Sequence, residues 1–197
     1  KSMGAGTWTS IGPSTPSGIP GIGRVNCIRV HPTNPSTLYA GAPSGGLWIS
    51  TNGGSSWTTK TDNMPQVIGC TDIAFDPTNP NIMYMATGDG DAGDNYSVGV
   101  LKSTDGAQTW NPTGLSFFTS QYRMMSKILV DPTNGNNILV ATSAGIYRST
   151  DAAVTFTKVQ DGSFKDMEFK PGTPTTIYAS GVEFYKSTNN GASWTKI

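Results

Sequence analysis

The chain has 197 residues, with 13 Lys plus Arg balanced by 13 Asp plus Glu, so it has no net charge and no basic stripe for a nucleic-acid backbone. No apolar run approaches the roughly 18 residues of a membrane helix, and insertion into a membrane is not expected. The only cysteines, Cys27 and Cys70, are too few for a disulfide scaffold and lack zinc-site spacing.

Charged residues make up only 13% of the sequence, so the polar surface must come from Ser, Thr, Asn and Gly, as in turn-rich β structure. The start, Lys1-Ser2-Met3-Gly4, carries no apolar signal region; an exported form is expected to have shed its signal already. A first short strand is predicted at 7–11, around Trp8, within an extra segment 1–12 that has no unit of its own.

Four similar units follow, at about 22–62, 66–114, 122–160 and 163–197. Each opens on an apolar strand that ends in a proline turn: Val30-His31-Pro32-Thr33, Phe75-Asp76-Pro77-Thr78, Val130-Asp131-Pro132-Thr133 and Phe169-Lys170-Pro171-Gly172. A second strand begins near Leu38-Tyr39, Met83-Tyr84, Ile138-Leu139 or Ile177-Tyr178. A third ends in an eight-residue segment, whose copies are 50–57, 103–110, 149–156 and 187–194. In the first unit the four strands are predicted at 24–30, 37–41, 46–50 and 56–60. Short β-rich runs separated by turn signals, with no helical period, read as an antiparallel meander the size of a propeller blade. The expected fold is all-β: a propeller of four-stranded antiparallel blades, four of them here, as part of a larger ring.

The eight-residue segments have a mechanism. Asn52, Asp105, Asp151 and Asn189 at the third place can accept backbone N–H groups and close an Asx-type turn. Glycine beside them supplies positive φ, and Trp57, Trp110, Phe156 or Trp194 re-enters the last strand to fill space between blades. The third copy has Ala152-Ala153 in place of glycine, so that turn is expected to be strained or differently shaped. The segments resemble the Asp box, or BNR repeat, Ser/Thr-x-Asp-x-Gly-x-Thr-Trp. This resemblance implies a propeller with the boxes on its outer bottom edge, in an architectural role.

From the first proline to the box aromatic is 25, 33, 24 and 23 residues in the four units. The second unit therefore carries about eight extra residues between its second and third strands, within Gly88-Asp89-Gly90-Asp91-Ala92-Gly93-Asp94-Asn95-Tyr96-Ser97. Asp89, Asp91, Asp94 and Asn95 are hard oxygen ligands at loop spacing and make calcium the candidate cofactor, although no EF-hand pattern is present. The same residues also suit a loop that caps its own turns, and Asp89 and Asp91 are the weak catalytic candidates. Arg24, Arg123 and Tyr122 precede innermost strands and, with Tyr96, are the candidate ligand-binding residues at the channel mouth; the plainer reading pairs the arginines with nearby aspartates. His31 is expected to be solvated. Cys27 and Cys70 have matching parity in adjacent units, with free thiols as the expected state.

Asp-box propellers include sialidases, xyloglucan-cleaving endoglucanases and sortilin-like receptors. Sialidases need three arginines around the channel and a Phe/Tyr-Arg-Ile-Pro motif; here only Arg24, Arg29, Arg123 and Arg148 exist, and Tyr122-Arg123-Met124-Met125 does not match. The N-terminal half resembles xyloglucanases more closely, but where they place a catalytic Asp before Gly-Gly this chain has Pro43-Ser44-Gly45-Gly46. The overall texture resembles secreted or surface propellers of bacteria with type IX secretion. The reading is thus a secreted or cell-surface module that binds a glycan or a surface protein, without a complete catalytic site. A portion of a glycoside hydrolase is the alternative, and a structural docking propeller the third reading.

Overall fold

The computed structural model describes residues 23–64, 66–93 and 95–197; the expected strand at 7–11 lies outside them. Among the described residues, sixteen strands form four separate four-stranded antiparallel sheets, each in simple chain order. The first blade holds β1 (Cys27–His31), β2 (Asn34–Ala42), β3 (Gly46–Ser50) and β4 (Thr58–Thr59). The second holds β5 (Cys70–Phe75), β6 (Met83–Thr87), β7 (Gly99–Ser103) and β8 (Asn111–Ser116). In the third are β9 (Met125–Asp131), β10 (Asn134–Thr142), β11 (Gly145–Ser149) and β12 (Thr157–Gln160). The fourth comprises β13 (Phe164–Lys170), β14 (Thr173–Gly181), β15 (Phe184–Ser187) and β16 (Thr195–Lys196). One 3₁₀ turn, Thr119–Gln121, is the only helical element among the described residues. The chain is therefore an all-β stretch of propeller with four blades.

Strand parity makes the blades stack. In β6, Met83 and Met85 face the first blade and pack with Tyr39, Leu47, Ile49 and Ile73. Their neighbours Tyr84 and Ala86 face the third blade and pack with Met125, Ile128, Ile138 and Val140. A side-chain period of two thus gives one strand two buried faces and two different partners. A third layer joins Leu139, Ala141 and Ile146 of the third blade to Phe164, Met167, Ile177 and Ala179 of the fourth. The box aromatics close these layers from outside: Trp110 on the first, Phe156 on the second and Trp194 on the third. The aromatic of the first box, Trp57, instead lines an apolar hollow of 660 Å³ with Ile28, Ala40, Pro43 and Trp48, on the face of the first blade turned away from the second.

All four eight-residue turns share one hydrogen-bond pattern. In the first, the Ser50 hydroxyl donates to Asn52 Oδ1 (2.9 Å) and accepts the Gly54 N–H (2.8 Å), while Asn52 Oδ1 accepts the Ser56 N–H (2.9 Å). Ser149, Asp151, Ala153 and Thr155 repeat this at 2.8, 3.0 and 2.9 Å. The third turn is therefore not differently shaped. Ala152 and Ala153 take φ of 55° and 69°, the left-handed region that Gly53 and Gly54 occupy in the first turn. The strain expected from the sequence is present, but as two alanines held in an unfavourable conformation inside an ordinary turn.

The proline turns work similarly. Asp76 Oδ1 accepts the Thr78 N–H (2.8 Å) and hydroxyl (2.7 Å), and Asp131 does the same for Thr133. His31 Nδ1 accepts the Thr33 N–H at 3.3 Å in the corresponding turn. His31 is not simply solvated: its ring is half-buried and packs against Tyr39 and Phe75, with centroids 6.3 and 5.9 Å away.

Candidate binding site at the channel mouth

The innermost strand of each blade lines the propeller axis, and polar side chains on these strands link one blade to the next. Asp72 on β5 is buried, with Oδ1 accepting hydrogen bonds from the Arg29 guanidinium of the first blade and from the Ile73 N–H (2.9 Å). Its Oδ2 accepts the Ile128 N–H of the third blade at 3.1 Å. Burial pushes this carboxyl up, against the opposing pull of Arg29 and the two N–H groups. Lys127 of the third blade likewise reaches Asp166 (3.3 Å) and Glu168 (2.6 Å) of the fourth. Sequence reasoning passed over these clasps; the signal was a charged residue in an otherwise apolar innermost strand, at Asp72 and Lys127.

Above these clasps lies the insertion between β6 and β7. It is closed on itself by the Asp89 N–H donating to the Asn95 carbonyl (2.8 Å) and the Asp91 N–H donating to Asp89 Oδ1 (3.1 Å). Every blade holds it. Arg24, ahead of β1, pairs with Asp89 and with Asp91 (3.1 Å), and Asn26 donates to Asp89 at 3.3 Å. Thr71 of β5 accepts the Gly90 N–H at 3.1 Å, and Lys165 of β13 donates to the Gly90 carbonyl at 2.9 Å. Gly90 lies so close to the third blade that a Cβ there would come within 3.0 Å of Ser126 Cα. Asn95 donates to the Pro43 carbonyl at 2.6 Å, which ties the insertion to the turn between β2 and β3. The loop therefore roofs the axis and leaves a polar cavity of 350 Å³ walled by Arg24, Asn26, Thr71, Asp91, Ser126 and Lys165.

On the other side of the loop, Ser97 donates its N–H to the Arg123 carbonyl at 2.8 Å. This brings Tyr96 and Tyr122 together edge to face, with centroids 5.0 Å apart and planes at 81°. Tyr122 is 67% exposed and is held at φ 55° at the end of the 3₁₀ turn. The sequence-selected residues thus fall into two groups around one loop: Arg24 with Asp89 and Asp91, and Tyr122 and the Arg123 carbonyl with Tyr96 and Ser97. Arg24 follows the plainer expectation, pairing with aspartates. Of the calcium set, Asp94 lies outside the described residues, and Asp89 and Asp91 both face the Arg24 guanidinium. Among the described residues, no three acidic, His or Cys side chains gather as a metal site.

Chemically, the mouth offers cations, carboxylates, amides and hydroxyls for a polyhydroxylated ligand, beside two aromatic rings with an exposed edge.

The fold and this mouth define a stretch of β-propeller with its polar loops gathered over the axis. No family model matches the chain. It is similar to the xyloglucanase Xgh74A of Acetivibrio thermocellus, 28% identical over 211 residues that take in 86% of this chain and 25% of the relative. A xyloglucanase of Paenibacillus sp. is 29% identical over 218 residues, covering 90% of this chain and 21% of that protein. Among solved structures, an ancestral GH74 enzyme superposes with a TM-score of 0.73 at 21% identity, over 88% of this chain and 25% of the other. The chain thus spans about a quarter of the length of the xyloglucanases it resembles.

Proposed function

We propose that the chain is a portion of a xyloglucanase-like propeller and that its mouth binds a β-glucan chain outside the cell, without performing hydrolysis on its own. The similarity to xyloglucanases along most of the chain supports the substrate class. The observation that carries the binding role is the edge-to-face Tyr96–Tyr122 pair, with Tyr122 largely exposed, on the side of the insertion opposite the polar cavity: an exposed aromatic surface suits the apolar face of a sugar ring. The expectation of no hydrolysis by this chain alone rests on Asp89 and Asp91: Asp89 is buried, and both pair with the one Arg24 guanidinium instead of standing apart as acid and base.

Affinity electrophoresis tests this reading. Migration through a gel containing xyloglucan should be retarded relative to a gel without polymer, and no reducing ends should be released. Unchanged migration, or release of oligosaccharides by this chain alone, would overturn it.

A further inference from the structure

We propose that Cys27 and Cys70 are a built cross-linking site, where a small-molecule disulfide oxidant converts two facing thiols into a covalent staple between the first and second blades. The pair is independent of the mouth and of any glycan. Both side chains are buried as free thiols at the start of the innermost strands β1 and β5, at 8% and 0% exposure. The two sulfurs are near enough for each to perturb the ionisation of the other. They share the space beside Gly41, the residue paired with Cys27 in β2. A Cβ at position 41 would lie 2.6 Å from Cys70 Sγ and 2.8 Å from Cys27 Sγ, so any larger residue there would push the sulfurs from their meeting point. Both strands are fixed by their sheets and by the Arg29–Asp72 clasp two residues further along, so the sulfurs meet without a change of fold.

The two thiols are not equivalent. The neighbouring Cys27 and complete burial push the Cys70 thiol well above its ordinary range. Cys27 is the one with residual exposure. The order of events follows. The Cys27 thiolate attacks one sulfur of oxidised glutathione or another small disulfide and expels one thiolate, leaving a mixed disulfide. Cys70 then gives up its proton and attacks Cys27 Sγ, expelling the second small thiolate. The protein loses two electrons and two protons, and the oxidant leaves as two thiols. The staple ties two innermost strands that are otherwise joined only through side chains.

The test uses the intact chain. After incubation with oxidised glutathione, it is denatured without reductant, alkylated and weighed. The expected product has lost two hydrogens, takes up no alkylating reagent, gives a Cys27–Cys70 peptide on digestion, and melts roughly 5–10 °C above the reduced form. Two alkylated cysteines after oxidation, or glutathione retained on Cys27, would overturn the proposal. So would a Cys27–Cys70 cross-link that leaves the melting temperature unchanged. As a second reading, Gly41→Ala should slow cross-linking at least tenfold even where the variant remains folded; cross-linking at the wild-type rate would show that the shared space beside Gly41 is not what sets the sulfurs together.

Discussion

The two alanines of the third eight-residue turn allow a sharp test, because backbone strain is common to both and burial is not. An L-residue in the left-handed region costs about 1–2 kcal/mol, and glycine gives back about 0.4–1 kcal/mol through the freedom of the unfolded chain. Ala152→Gly should therefore stabilise by about 0.5–1 kcal/mol, a rise of roughly 1–4 °C for a chain of this size. Ala153 has the same positive φ but is 2% exposed and packs in the layer between the second and third blades. Removing its methyl group forfeits about 0.8 kcal/mol of burial, so Ala153→Gly should leave the melting temperature within about 1 °C of wild type. Differential scanning calorimetry of the two variants and the wild type measures both values. A lowered melting temperature for Ala152→Gly, or equal rises for both, would refute the assignment of strain to the backbone and of compensation to packing.

The same turns govern acid stability. Hydrogen bonds from Thr109, and from Thr155 in the third turn, hold the carboxyls of Asp105 and Asp151 down to about 2. Their folded values lie below the unfolded value of about 3.9, so the stability they contribute is present above that value and is lost as pH falls toward about 2. Asn52 and Asn189 build the same turn without a titrating group; Asp105→Asn with Asp151→Asn should accordingly flatten the fall in melting temperature between pH 4 and 2. An unchanged acid profile would show that these turns do not contribute to it. For calcium, melting in excess calcium and in chelator should agree, because Arg24 already supplies the positive charge beside Asp89 and Asp91. A clear rise with calcium would assign the ion to Asp89, Asp91, Asp94 and Asn95 after all.

The repeating architecture was legible because it is written in local chemistry. Proline fixes φ at the same point of each unit, and a Ser with Asp or Asn two residues later closes the same turn with its own side chain. Even Ala152-Ala153, which lacks the expected glycines, could not escape a geometry set by Ser149 and Asp151. The mouth was legible only in part. Composition singled out the insertion, and position singled out Arg24, Tyr96, Tyr122 and Arg123. The partners of these residues depended on contacts far apart in the chain: Lys165 on Gly90, Asn95 on Pro43, Arg29 on Asp72. Such pairings are decided by how blades rotate about the axis, which no local spacing encodes. His31 shows the same limit: the turn position was clear, but Phe75 reaches its ring from the next blade.

Glucan recognition at the mouth is tested most directly by isothermal titration of a xyloglucan oligosaccharide into the wild-type chain and into Tyr122→Ala. Tyr122 is largely exposed and belongs to no core layer, so its removal should leave folding intact. Saturable binding by the wild type, weakened about tenfold or more in the variant, is the expected result. Equal affinity in both, or no heat of binding in either, would contradict a sugar site at the Tyr96–Tyr122 pair.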